Sequence, residues 1–202
     1  MKVDCSMNPS SHEPDKPGEI DSFSHSIGLS HEALVGKILL LEFDPRIPIQ
    51  SHIEKLVTEV KANAEMAVIL TRKRSNIDLN ISSLLAEKYY LVPSNSPYRN
   101  GCDKVVPLND TSSLLGFIMS KASNEATTYI LLDNLTDLIL NSGLDSTYST
   151  VMHIADILTE RMATFVLLLN SKAHGSKILA AFETVANLII VLEDKKLRLI
   201  KS

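Results

Sequence analysis

The stretch Thr127–Leu140 constrains the fold most, because it holds a buried strand, an acid and the start of a helix in fourteen residues. It opens as an apolar run, Tyr129 to Leu132, and breaks on Asp133. A short run with no polar alternation fits a strand covered on both faces, as in a parallel sheet flanked by helices. The acid then falls at the strand's carboxyl end, where open α/β sheets bind their ligands. Leu135, Leu138 and Ile139 follow at helical spacing.

The same grammar repeats along the chain. Lys37–Phe43 reads as a strand closed by the turn signal Asp44-Pro45, and Ile49, Ile53, Leu56, Val57 and Val60 form one helical stripe. Met66–Thr71 is the next strand, which makes a right-handed βαβ unit. Leu79–Glu87 is expected to be a short helix, Tyr89–Val92 a strand, Ser94–Gly101 a loop of turn formers and Lys104–Leu108 a short strand. Asn109 or Asp110 can cap a helix carrying Leu114, Leu115, Ile118 and Met119. A long helix from Asp145 or Ser146 and a buried strand over Thr164–Leu169 come after the central stretch. The chain closes with a loop at 170–176, a helix to Val185, and an antiparallel hairpin of Leu188–Leu192 and Leu197–Ile200. The expected fold is a three-layer α/β/α sandwich with a mostly parallel sheet and a C-terminal antiparallel hairpin.

The first thirty residues are rich in Ser, Pro, His and acids, so residues 1–32 are expected to be a loose tail and 33–202 a single domain. His12, His25 and His31 read as solvated tail histidines. Cys5 and Cys102 stand alone, with no zinc-ligand spacing, which suits free thiols in the cytoplasm. No apolar run reaches the ~18 residues of a membrane span, and no leader-like apolar segment is visible. Net charge is −4 with the signs interspersed, which argues against a nucleic-acid platform.

The order of these elements resembles the carboxyl-terminal half of RecA-like ATPases, the KaiC-like group in particular. The resemblance rests on Tyr129–Asp133, the long helix, Phe165–Leu169, the phrase Val185–Glu193 and the terminal Leu197–Lys201. Leu131–Leu144 also resembles an archaeal family of uncharacterised proteins related to that group. The resemblance implies a Walker B role for Asp133, and side-by-side association with a second copy or an intact ATPase. It also implies a Gly-x-x-x-x-Gly-Lys-[Ser/Thr] loop, whose backbone N–H groups wrap the phosphates while the hydroxyl holds Mg²⁺. That loop is absent. Gly36-Lys37 enters a strand instead of leaving one, His174-Gly-Ser-Lys177 has one glycine and the wrong order, and no strand–loop–helix near Leu34 is expected to carry the motif. ATP and Mg²⁺ are therefore unsupported, and no cofactor is expected.

Remaining chemistry is sparse. Arg72-Lys73-Arg74 follows a strand and reads as a solvated loop or as a holder of phosphate or an acidic partner. Asp133 is a structural acid or a metal-site relic, and Asp137 shares its helical face as a weak metal candidate. Lys172 and His174 follow the neighbouring strand, and His174 with Asp133 would imitate an acid–base pair. No Gly-x-Ser-x-Gly nucleophile or Gly-x-Gly-x-x-Gly dinucleotide motif is present. The expected function is a non-catalytic regulatory or signalling module that binds a protein partner or itself. The alternative is a nucleotide or phospholigand binder using Arg72, Lys73, Arg74, Asp133, Lys172 and His174 at the sheet's carboxyl edge.

Overall fold

The strands buried along nearly their whole length take the middle of one sheet, and the more exposed ones take its outer edges. The computed structural model describes residues 22–93, 104–108, 110–122, 126–159 and 161–202. Its 8-stranded sheet runs β4-β3-β2-β5-β6-β1-β7-β8. The strands are β1 Ile38–Phe43, β2 Met66–Thr71, β3 Glu87–Val92, β4 Val105–Pro107, β5 Thr128–Leu132, β6 Ala163–Asn170, β7 Leu188–Glu193 and β8 Lys196–Lys201. All pairings are parallel except β7 with β8. Every residue of β1 and β5 is buried, whereas β3 and β8 keep exposed positions. A strand made almost entirely of apolar side chains has to be covered on both faces, so it lies inside the sheet.

Alternation along those strands feeds two cores. Leu40, Leu70, Ile130, Leu132 and Leu167 point to one side, with residues of α4 (Thr111–Lys121), α5 (Leu135–Ser142), α6 (Leu144–Thr159) and α7 (Ser176–Val185). Leu39, Leu41, Ile69, Leu131 and Leu168 point to the other, with α1 (Phe23–Ser26), α2 (Gln50–Ala62) and α3 (Asn76–Asn80). The three layers and the closing hairpin are as expected. The hairpin turn places Asp194 and Lys195 at φ 48° and 63°, the two positive values that a two-residue turn matched to strand twist requires.

Three local expectations need correction. β1 and β2 flank a crossover but do not pair, because β6 and β5 are inserted between them. The helix expected at Leu79–Glu87 lies earlier, at Asn76–Asn80, and Leu79 and Leu84 are exposed. Ser75 fixes its start by accepting a 3.0 Å hydrogen bond from the Asp78 amide, and Ile77 and Ile81 are the residues that reach the core. The third concerns the N-terminal segment: packed structure begins by residue 22, not 33. Ser22 caps α1, a 3₁₀ turn spans His31–Leu34, and Phe23 and Leu34 are completely buried. Phe23, Ile27 and Leu34 are the buried apolar side chains of this otherwise polar stretch. Asp110 does cap α4, accepting from the Ser113 amide at 3.1 Å. The Ser94–Gly101 loop, Asn109, His12, both cysteines and residues 1–21 lie outside the described residues.

Candidate functional site

Parallel register brings the carboxyl ends of four strands to one line. Leu132 of β5 pairs with Leu70 of β2 and with Leu167 of β6, and Phe43 of β1 pairs with Asn170 at the end of β6. Just beyond these pairs, Asp133 after β5 and Asn170 at the end of β6 line a crevice of about 460 Å³ between the two helical layers. Chain reversals on opposite faces of a parallel sheet leave such an opening. Phe43, Ile47, Ile49 and Ile77 supply its apolar wall; Gln50, Arg72, Arg74, Asn76, Asp133, Thr136 and Asp137 supply polar groups.

Asp133 is 8% exposed. Its amide donates to the Leu70 carbonyl at 2.8 Å, which extends the β2–β5 ladder, and its peptide bond to Asn134 is cis. One carboxylate oxygen, Oδ2, accepts from the Thr71 hydroxyl at 2.6 Å and the Ser75 hydroxyl at 3.0 Å. Burial pushes the Asp133 carboxyl above its usual range, and those hydroxyls and the Arg72 charge restrain the rise. Asn134 caps α5 by accepting from the Asp137 amide at 3.0 Å. The Asp137 carboxylate lies 2.7 Å from Arg72 Nε, and that guanidinium is 60% exposed. Burial raises Asp137 too; Arg72 opposes the rise and Asp133 adds to it.

The predicted residues do not all converge. Arg72, Arg74, Asp133 and Asp137 line the crevice, whereas Lys73 is exposed and is not part of its wall. Arg74 sits at φ 64°, and its amide donates to Asp78 Oδ2 at 2.7 Å. Lys172 lines a separate cavity of about 280 Å³ with Asp44, Ser171, Glu193 and Asp194, on the β7–β8 side. His174 places Nε2 3.0 Å from the Thr136 hydroxyl, and burial holds its imidazole below the usual value. His174 and Asp133 thus contact hydroxyls of different residues, Thr136 for the imidazole and Thr71 and Ser75 for the carboxylate. Among the described residues, no group of three or more His, Cys, Asp or Glu is arranged to hold a metal. Thr71 and Ser75 escaped the sequence reading because their partner is sixty residues away, although Ser75-x-x-Asp78 carries a helix-start signal.

Soon after Leu34 the chain does form a strand–loop–helix: β1, residues 44–49 and α2. Its connection reads Asp44-Pro-Arg-Ile-Pro-Ile49, with neither glycine nor lysine. Asp44 Oδ1 accepts from the Arg46 amide and from its Nε, each at 3.0 Å, which closes the turn on itself. Arg46 holds the Asp44 carboxyl down at about 2, with a smaller contribution from Lys172. Two prolines lack amide hydrogens, and Ile47 and Ile49 line the crevice, so the surface offered there is largely apolar.

No protein family and no curated protein matches the sequence. Solved structures do match the fold. One is the Pyrococcus horikoshii OT3 protein PH0250, with a TM-score of 0.60 at 13% identity over 83% of this chain and 87% of that one. Another is the flagellar accessory protein FlaH of Methanocaldococcus jannaschii, with a TM-score of 0.52 at 14% identity over 83% and 79%. The fold is RecA-like, and both neighbours are archaeal.

Proposed function

We propose that this domain is a non-catalytic binding module on a degenerate RecA/KaiC-like scaffold, which regulates or signals by engaging a protein partner or a second copy of itself in the cytoplasm. The observation that carries the reading is the β1–α2 connection. A phosphate loop needs successive free N–H groups on a glycine-permissive backbone. Residues 44–49 instead offer two prolines, an internal Asp44–Arg46 ring and two isoleucines facing the crevice. Asp133 is likewise engaged by Thr71 and Ser75. Light scattering on the eluting protein, joined to a pull-down with the tagged full chain, tests the reading. A dimer or a stoichiometric retained protein is expected; a strict monomer that retains nothing contradicts it.

A second reading, a phospholigand site, is favoured by the crevice itself. Its volume of about 460 Å³ suits a small molecule, and Arg72 and Arg74 both line it. Arg72 is already paired with Asp137, so a bound anion has to compete with that carboxylate. Binding of an organic phosphate that is lost in Arg74→Ala favours this second reading over the first.

A further inference from the structure

His31 joins three parts of the fold that are distant in sequence. Its Nδ1 lies 2.9 Å from Glu59 Oε1 on α2, and its Nε2 lies 2.7 Å from Glu65 Oε2 in the α2–β2 connection. The imidazole stacks on Tyr129 of β5, with ring centroids 5.6 Å apart, and the Tyr129 hydroxyl is 3.4 Å from Nε2. The other Glu59 oxygen accepts from the Ser24 amide at 3.0 Å. All three charged side chains are largely buried. An ionised carboxylate only accepts hydrogen bonds, so satisfying both of them requires both ring nitrogens to donate. Only the imidazolium does that.

We propose that His31 is a pH-sensitive latch: charged, it clamps residues 22–34 against α2 through Glu59 and Glu65; neutral, it serves one carboxylate and lets the segment open locally. The surrounding groups favour the charged form on balance. Glu59 and Glu65 face the ring, and Glu32 on its own turn is coupled to it electrostatically. Burial raises the Tyr129 phenol far above its ordinary range, so it stays neutral. Glu54 and Lys55 of α2 line the adjoining cavity of about 680 Å³ with opposite charges. Burial opposes a charge on His31, but the hydrogen bonds and charges of Glu65 and Glu59 outweigh it, and the net displacement is upward from 6.5. A raised folded value means the latch is fully set below 6.5 and is lost as pH climbs through that higher value. Phe23 and Leu34 remain buried by their own apolar contacts, so the response is local opening of the segment.

Amide hydrogen exchange of the full chain at about pH 6 and about pH 8.5, corrected for the intrinsic base-catalysed rise, tests the latch. Opening of residues 23–34 should increase roughly threefold or more at the higher pH, while β1 stays unchanged. In His31→Gln, which donates from one amide group, the segment should be equally open at both pH values. Glu65→Gln, which keeps the histidine, should lower its NMR titration midpoint relative to the parent. A parent segment whose corrected opening does not change with pH overturns the proposal. So does a His31→Gln segment that keeps the parent's pH response, or a Glu65→Gln midpoint that stays put.

Discussion

Glu42 on β1 is an acid placed in an apolar strand, and the fold holds back its charge. It is 6% exposed, and its Oε1 finds no hydrogen-bond partner among the described residues. Burial, and then the charge of Glu183 on α7, push its carboxyl up to about 7. A folded value above the unfolded one contributes stability fully below about 4.5, and that contribution disappears as pH rises through about 7. Glu42→Gln should therefore stabilise the protein by about 1–3 kcal/mol at about pH 8.5 and change it little at about pH 5. Urea unfolding at the two pH values measures this; equal effects at both would remove the acid from the account. Asp133 obeys the same sign, since its carboxyl is also raised by burial, yet its Oδ2 accepts from two hydroxyls whereas Glu42 Oε1 finds no partner among the described residues. Asp133→Ala should cost about 2 kcal/mol by removing the carboxylate that accepts from both Thr71 and Ser75, which leaves those hydroxyls only each other and the Arg72 carbonyl. Asp133→Asn should cost clearly less at neutral pH, because the amide keeps an acceptor and sheds the charge. Unfolding curves that rank the two variants the other way would show that the carboxylate's charge is itself needed.

At the scale of elements, the segment from Ser22 to Leu34 behaves as part of the domain. Phe23→Ala should cost about 3 kcal/mol in urea unfolding, the usual penalty for emptying an aromatic site in a packed core. A loss under ~0.5 kcal/mol, typical of surface positions, would return the segment to the status of a tail. This element was illegible in the sequence because only a few apolar residues, widely spaced, carry its packing. The central strands were legible for the opposite reason: Leu39–Leu41 and Tyr129–Leu132 are continuous apolar runs whose burial needs no knowledge of their neighbours. The α3 helix lies earlier than Leu79–Glu87 because the Ser75 cap sets its start and the phase that buries Ile77 and Ile81. Asp133 could be found as the acid that ends a buried strand. Its hydroxyl partners could not, since the β2–β5 pairing that delivers Thr71 is a property of strand order. The same ignorance grouped Lys172 with Asp133, when β1 and its connection place that lysine in a cavity with Asp44 and Asp194.

Over the whole molecule, the RecA-like fold and the chemistry of its carboxyl edge are separable. The sheet is built from apolar runs that any sandwich of this kind can use, whereas the proposed absence of nucleotide chemistry rests on a few residues at the β1–α2 connection. There the sequence reads Asp-Pro-Arg-Ile-Pro-Ile. Among the described residues no helix is long and apolar enough to cross a membrane. Thermal unfolding with ATP, each run with and without Mg²⁺, tests the central claim most directly. A ligand held with micromolar affinity and supplied at millimolar concentration would stabilise the native state by about 4 kcal/mol. The account predicts no change in Tm with ATP under either condition. A Mg²⁺-dependent rise that disappears in Asp133→Ala would contradict it, and would make the crevice a nucleotide site after all.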